Sequence, residues 1–408
     1  VPSFTFARGN ATKLLSSPLY ALGRLASVFI RRRDALWVFA CGSGLGEGSL
    51  ALYRMADAAD PSLRLVWIAR DREELARARA LGLTSVLRSS WRGFRMTLRA
   101  RVIVVTHGLG DVNRFGTHGA FILQLWHGIP LKRIQLDSPV TFGGSGLVSR
   151  MLRALYRRNS AAIDLVPAAS ESSAGRLRTA FGLPADRVVV TGDPRDDAVL
   201  GPREAARELL ERGVGGLGGD EVILFAPTWR DGEADPVVPT DAEWSSIAEH
   251  LEATARVLVL RPHPHSVGDY RPGPAASNRI RMLSATVQND INPVLPAIDI
   301  LVTDYSSIAF DFALLGRPIA FLAPDAREYA RTRGLYEPYR EFSGGSEVES
   351  WAELLALLAT PASGNKPVAL ERLAAHAVHL AATHHEYRDG RNTERVYEVL
   401  RTRLGGQA

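Results

Sequence analysis

The stretch "LVTDYSSIAFDFALLGRPIAF", residues 301–321, decides how the chain is read. An apolar run with the look of a buried strand meets Asp304, Tyr305, Ser306 and Ser307, and an apolar helical pattern begins at once. Strand, short polar turn and helix in that order make one arm of a parallel α/β unit. Backbone N–H groups at a helix start, backed by two serine hydroxyls, offer a cradle for phosphate.

The same arrangement recurs outward from this stretch. "EVILFAPTWR", "RVLVLRPHPH", "DILVTDYSS" and "RPIAFLAPD" read as strands that each end in polar residues or proline, with helices between them. The first half carries "ALWVFACGSG", "LRLVWIAR", "RVIVVTHG", "AFILQLWHG", "IDLVPAAS" and "RVVVTG", the third and fourth of these both ending in His-Gly. "SLALYRMADA" and "EELARARALG" read as helices, the second with a glycine stop. Near-continuous Val/Ile/Leu runs imply strands buried on both faces, hence parallel sheets. The glycine-rich "ERGVGGLGGDE" at 211–221 is the expected hinge, which divides the chain into 1–212 and 213–408. Two doubly wound domains facing each other across a cleft are expected, with the helices after 348 packing back onto a domain face. Ligands of such sheets sit at the carboxyl ends of the strands.

Composition narrows the class. A chain of 408 residues, 46% hydrophobic and 23% charged, favours two globular cores over one. No apolar window is long enough to predict a spanning helix. The first residues lack the layout of a secretory signal, so the chain reads as intracellular. The single Cys41 excludes an intrachain disulfide framework and a multi-cysteine metal site; it reads as a small buried hydrophobe. Net charge is a modest +5, but 46 of the 49 basic residues are arginine, whose planar forks suit phosphate oxygens.

Several polar residues fall at strand ends. His127 follows a strand in "LQLWHGIPLKRI", where a structural loop histidine is an equally good reading. Arg261 and His263, two apart in "LRPHPHS", share a face if the strand reaches them, although Pro262 opposes that. His265 reads as exposed. Arg230 in "FAPTWRDGE", at the end of another strand beside Thr228, offers a phosphate contact, against a plain Arg230–Asp231 surface pair. Asp193, Arg195 and Asp196 in "TGDPRDD" lie in a turn expected near the interdomain cleft, or simply in a charged turn. "CGSGLGEGS" fails as a dinucleotide fingerprint, because Glu47 or Ser49 stands where the last glycine is required. Nucleotide-triphosphatase, zincin and serine-hydrolase motifs are absent. "HLAATHHEYRDG" clusters His379, His384, His385, Glu386 and Asp389, but the five-residue step suits metal ligation poorly, so a solvated helix end is expected. "LLSSPLYALGRLASVFIRRRD" and "GLVSRMLRALYRRNS" interleave apolar residues with arginine, as an interfacial helix or a core-facing helix with a charged outer face would.

Taken together, "LWHGIPLKRI", "GDPRDD", "FAPTWRD", "RPHP", "VTDYSSIAFDFALLGRPIAF", "GLYEPYREFSGG" and "YRDGRNTERV" resemble the CDP-glycerol glycerophosphotransferase family, in the same order. That family includes the teichoic acid primases and polymerases. The resemblance runs from about residue 120 to 400, and "GEGSLALY" resembles a further family motif in the first third.

The resemblance implies a GT-B-like fold of two Rossmann-like domains, with acceptor handling and membrane docking in 1–212 and the CDP donor in 213–408. It implies transfer of a polyol phosphate, glycerol phosphate first, from a CDP-activated donor to a hydroxyl of a membrane-linked acceptor. CMP is released, and the product is a teichoic-acid-like wall or capsule polymer. His127 would be the general base and His263 would steady the phosphoryl oxygens. Arg230 and Arg261 would supply positive charge in place of a metal, and Ser306 and Ser307 would hold the pyrophosphate. Thr228, Arg195, Asp304 and Asp389 are further cleft candidates, with Asp304 expected to orient N–H groups or hydroxyls. No cofactor and no metal are expected. The expected partners are the donor, a lipid-linked or polymeric acceptor and an anionic membrane surface, which places the chain peripherally on the cytoplasmic face. A donor such as CDP-ribitol, or another activated sugar or polyol, would use the same cradle. A non-catalytic module binding nucleotide or anionic polymer is disfavoured because both histidines are present, and nucleic-acid binding lacks any motif.

Overall fold

The computed structural model describes residues 25, 27, 29–142, 146–230, 235–263, 266, 268–359 and 368–405. Asp231, His265 and most of the first basic amphipathic stretch lie outside the described residues.

The apolar runs form two parallel sheets. In the first half β1 (Arg33–Phe39), β2 (Arg64–Ala69), β3 (Ser85–Leu87), β4 (Ala100–Val105) and β5 (Phe121–Gln124) lie in the order β3-β2-β1-β4-β5. A bridge between Leu123 and Leu165 continues this sheet into the parallel pair β6 (Val166–Ala168) and β7 (Val188–Val190). The second half repeats the plan with β8 (Glu221–Phe225), β9 (Arg256–Leu260), β10 (Ile280–Met282), β11 (Ile300–Thr303) and β12 (Ile319–Phe321), ordered β10-β9-β8-β11-β12. Both sheets reverse direction beside their first strand, between β1 and β4 and between β8 and β11. A crevice opens at such a switch point, at the carboxyl ends of the strands. The two Rossmann-like halves expected from the sequence are present.

The strand cores explain why. Trp37, Val38 and Phe39 of β1, and Val259 and Leu260 of β9, are fully buried with helices over both faces. The helices start where polar caps meet the apolar pattern: Asp71 accepts the N–H of Glu74, and Thr240 forms a reciprocal capping box with Glu243.

The expected hinge is corrected. The boundary at 212/213 falls inside the helix Arg203–Val214, whose Ala206 and Leu210 pack with Val222, Leu224 and Val257 in the second half. The chain therefore changes halves before this helix, near the 192–197 turn. The last helix, Asn392–Gly405, crosses back: its Val396 and Leu400 pack with Trp37, Leu52 and Trp67 of the first half. Cys41 is buried beside Thr106, and burial pushes its thiol pKa up. Among the described residues no helix is long and apolar enough to cross a membrane.

Candidate active site

Polar residues of the second half gather where β8 and β11 part. Asp304, just past β11, is almost fully buried. It accepts the Thr228 N–H with both oxygens (2.9 and 3.1 Å) and the Tyr305 N–H at 2.6 Å. Arg230 Nη1 donates to the same carboxylate at 3.0 Å. Burial pushes the Asp304 pKa up, opposed by Arg230 and these hydrogen bonds. The carboxylate thus orients loop N–H groups, and through them ties the ends of β8 and β11 together.

Arg230 corrects the sequence reading. Its Nε and Nη2 form a two-pronged pair with Asp325 at 2.8 and 2.9 Å, and Nη1 serves both Asp304 and the Thr228 carbonyl. The guanidinium lies over the rings of Tyr305 and Tyr329, which stack with centroids 4.0 Å apart. Burial alone would lower its pKa, but the two carboxylates hold it above the ordinary value. With four of its five N–H donors on protein acceptors, Arg230 acts as a buried structural cation at the strand ends. Thr228 Oγ1 is buried beside the Asp304 carboxylate, whose rise in pKa the hydroxyl also opposes.

Ser306 and Ser307 are half-buried at the head of the helix Ile308–Ala313. Ser306 Oγ accepts the Ile308 N–H at a long 3.5 Å, and Ser307 makes no capping bond. This helix has only six residues. Anion affinity here would come from individual N–H and hydroxyl groups more than from a macrodipole.

His127 approaches from the first half. Beyond β5 the chain turns through positive φ at Trp126 (66°) and Gly128 (110°), while Trp126 anchors edge-on against Phe181. This geometry carries His127 just past the strand end. Its ring stacks on His107, centroids 4.1 Å apart and planes within 8°. His127 Nδ1 is buried with no hydrogen-bond partner. Burial holds the His127 pKa well below the ordinary imidazole value, aided by the charges of His107, Arg195 and Lys132. These influences, against a hydrogen bond to the Thr106 backbone, favour the neutral ring.

His107 is the functional candidate that the motifs missed. It closes β4, its backbone N–H donates to Asp111 at 2.7 Å, and its Nδ1 lies 2.8 Å from Thr106 Oγ1 in a hydrogen bond. A Cβ at Gly42 would lie 2.5 Å from the His107 ring, so the glycine-rich turn after β1 makes room for this imidazole. The signal was available: adjacent strands β4 and β5 both end in His-Gly.

Arg195 joins the halves. From the 192–197 turn it donates through Nη2 to Asn292 (3.0 Å) and Asp311 (2.7 Å) of the second half. Asp311 is pushed up to about 6 by burial, with Arg195 pulling the other way. A Cβ at Gly128 would lie 3.3 Å from Arg195 Nη1 and 3.5 Å from Ser307 Oγ. The His127 loop, Arg195 and the serine turn therefore meet at one place, and only glycine fits at 128.

The remaining candidates divide. Arg261 donates to the carbonyls of Leu283, Gln288 and Asn289, and burial brings its pKa down to about 10. It clamps the loop whose Asp290 accepts the Glu47 N–H at 2.6 Å from the first half. His263 stacks on Trp229, centroids 5.6 Å apart, so the loops after β8 and β9 come together. Asp389 is not brought to the cleft: it accepts the Arg391 N–H and pairs with Arg395, beside a helix start. That start is capped from afar, since Asp197 accepts the N–H groups of Asn392 (2.9 Å) and Thr393 (2.8 Å). The "GDPRDD" and "GRNTERV" motifs thus interlock structurally.

The solvated helix end expected around His384 and His385 is also corrected. His385 is buried between the Phe310 carbonyl (3.0 Å) and Asp196 (3.2 Å). His384 is buried against Glu337 (3.0 Å), which also takes Arg176 at 2.6 Å. Among the described residues no group of three His, Cys, Asp or Glu side chains is arranged to hold a metal ion.

Comparison with known proteins adds an independent view. The family model described as CDP-Glycerol:Poly(glycerophosphate) glycerophosphotransferase matches residues 24–402. Teichoic acid ribitol-phosphate polymerase TarK of Staphylococcus aureus is 27% identical over 284 residues, 68% of this chain and 52% of its own length. A teichoic acid glycerol-phosphate transferase of the same species is 30% identical over 251 residues, 58% of this chain and 61% of its own. The chain thus spans about half the length of the curated relatives it matches. A solved structure of the wall teichoic acid polymerase TagF superposes with a TM-score of 0.77 at 19% identity, over 95% of this chain and 94% of that one. That likeness supports the GT-B-like fold.

Proposed function

The chain belongs to the CDP-glycerol:poly(glycerophosphate) glycerophosphotransferase family, and on that premise we propose that it transfers a polyol phosphate from a CDP-activated donor to a hydroxyl of a lipid-linked or polymeric acceptor, releasing CMP. The observation that carries this reading is the His127 imidazole, biased to its neutral form and with Nδ1 unpartnered, meeting Arg195 and Ser307 across Gly128.

In this reading the acceptor hydroxyl gives its proton to His127 as its oxygen bonds to the distal phosphorus of the donor. The phosphoanhydride bond breaks and its electron pair leaves with CMP; His127 then returns the proton to solvent. Ser306, Ser307, Thr228 Oγ1 and Arg195 Nη1 face the phosphoryl oxygens, and His263 steadies the charge that develops on them. Arg230, Asp304 and Asp325 hold the strand ends in place, and Arg261 holds the loop that joins the halves.

The second half takes the donor, and the first half takes the acceptor and the membrane. The helix Leu147–Ser160 supports the membrane role: Leu147 (73% exposed) and Met151 (55% exposed) stand among Arg150, Arg157 and Arg158. A nucleotide-activated donor places this surface on the cytoplasmic leaflet. The ribitol-phosphate polymerases among the relatives favour CDP-ribitol as a second candidate donor.

The test is CMP release, followed by mass spectrometry with CDP-glycerol and CDP-ribitol offered separately to a lipid-linked acceptor. Release from one donor that is lost in His127→Ala supports both the reaction and the base. If neither donor turns over with a competent acceptor, the reading fails.

A further inference from the structure

At the opposite end of the first sheet lies a second concave site that the transfer chemistry does not use. The helix Trp91–Arg99 presents Arg92, Arg95 and Arg99, spaced to share a face. Beneath it the adjacent strands β1 and β2 begin with Arg33 and Arg64. These five arginines, with Trp91, Leu36 and Met96, line a pocket of about 210 Å³. Leu36 is buried beneath it, while Trp91 is 73% exposed at its rim.

Among the described residues none of the five guanidinium groups makes a side-chain hydrogen bond or ion pair. Their neighbour Arg32 shows that the fold can satisfy an arginine here, since it donates to the carbonyls of Thr97, Ala100, Gly116 and His118. Crowding has a sign: the charge of Arg33, then burial and Arg95, lower the Arg99 pKa. Like charges gathered in one hollow repel each other, and an anion seated among them removes that repulsion. Arginine forks match phosphate oxygens in pairs, and a cluster of them binds several at once.

We propose that this pocket binds phosphodiester groups of a polyol-phosphate chain whose end is being extended in the cleft. The inference rests on the transfer reading above for the identity of the chain. The site is arginine-rich, concave and far from the cleft. β1 has seven residues, and at ~3.3 Å per residue its two ends stand on the order of 20 Å apart. A product a few repeats long reaches from one site to the other over the first half. Holding it there keeps the polymer on the enzyme between transfers, so the pocket sets product length and not the rate of one transfer.

The test uses the full chain and the variants Arg92→Ala/Arg95→Ala and Arg92→Lys/Arg95→Lys. Both positions are exposed, and circular dichroism checks that the variants fold. Calorimetric titration with poly(glycerol phosphate) in the absence of donor should show the alanine pair binding roughly tenfold or more weakly, with a shallower dependence on salt. The lysine pair, which keeps charge but loses the forks, should recover part of the affinity. A single transfer to a one-unit acceptor should be unchanged while the alanine pair makes shorter products. Equal polymer affinity in wild type and alanine pair overturns the proposal. So does a loss confined to phosphatidylglycerol vesicles, which would make the pocket a membrane contact. Arginine-dependent polymer binding with no turnover of CDP-glycerol or CDP-ribitol sinks the transfer reading alone. Normal transfer with arginine-independent binding sinks this inference alone.

Discussion

His107 and His127 lie face to face, one at the end of β4 and one just past β5, with ring planes within 8° and centroids 4.1 Å apart. Two stacked imidazoles cannot both take protons without repulsion. Burial already disfavours a charged His127, and His107, Arg195 and Lys132 face it with positive charge. The charge of His107 opposes protonation of His127, so removing that charge lets His127 protonate at higher pH. In His107→Asn the acid limb of the pH–rate profile for CMP release should therefore move upward. His107→Phe, which keeps a stacked ring without charge, should show the same displacement with a smaller loss of rate. An acid limb that stays in place in both variants would remove His107 from this role.

Arg230 makes the sharpest distinction between structural and ligand roles. Its partner Asp304 is almost fully buried and has no other cation among its hydrogen-bond partners. Deleting one member of a buried pair costs about 3–5 kcal/mol, because the other charge is left uncompensated. Arg230→Ala should lower the unfolding free energy read from urea titration by that order, shifting the midpoint down accordingly, and Arg230→Lys should recover only part of it for want of the fork on Asp325. An unchanged midpoint with impaired CMP release would restore Arg230 as a phosphate ligand.

Gly128 is where the halves nearly touch. Its φ of 110° is costly for any side chain, and an added methyl would crowd Arg195 Nη1 at 3.3 Å while touching Ser307 Oγ at 3.5 Å. Backbone strain of this kind costs roughly 1–3 kcal/mol. Gly128→Ala should lower kcat/KM for CMP release more than it lowers stability, because the proposed phosphoryl site lies at this junction. A variant with full activity would show that these three residues do not define that site.

What the sequence disclosed, and what it hid, follows from range. Runs such as "WVFA" and "VLVL" announce buried strands by composition alone, so β1 and β9 were legible. The edge strands β3 and β10, three residues each, carry too little pattern to register. The Gly-rich 211–221 segment looks like a hinge, but Ala206 and Leu210 commit the helix that runs into it to the second half's core, which no local signal announces. His127 was legible because its motif is contiguous. Arg230 was misread because its partners Asp304 and Asp325 lie 74 and 95 residues away. Asp389, expected at the cleft, pairs instead with Arg395 of the last helix, a contact the motif alone does not announce.

The last helix supplies the remaining prediction. Asp197 accepts the backbone N–H groups of Asn392 and Thr393 and the Thr393 hydroxyl at 2.7 Å, so one carboxylate caps a helix almost two hundred residues further along the chain. Cap removal typically costs about 0.5–2 kcal/mol. Because this helix belongs to the first half's core while its leading loop belongs to the second, the loss should be local before it is global. In Asp197→Ala, amide exchange should quicken across Val396–Leu404 while the strands of both sheets keep their protection. The relative placement of His127 and Ser307 depends on the same turn through Arg195, so CMP release should fall alongside that local opening. Uniformly faster exchange across both sheets would mean instead that the helix and its cap are part of the global folding unit.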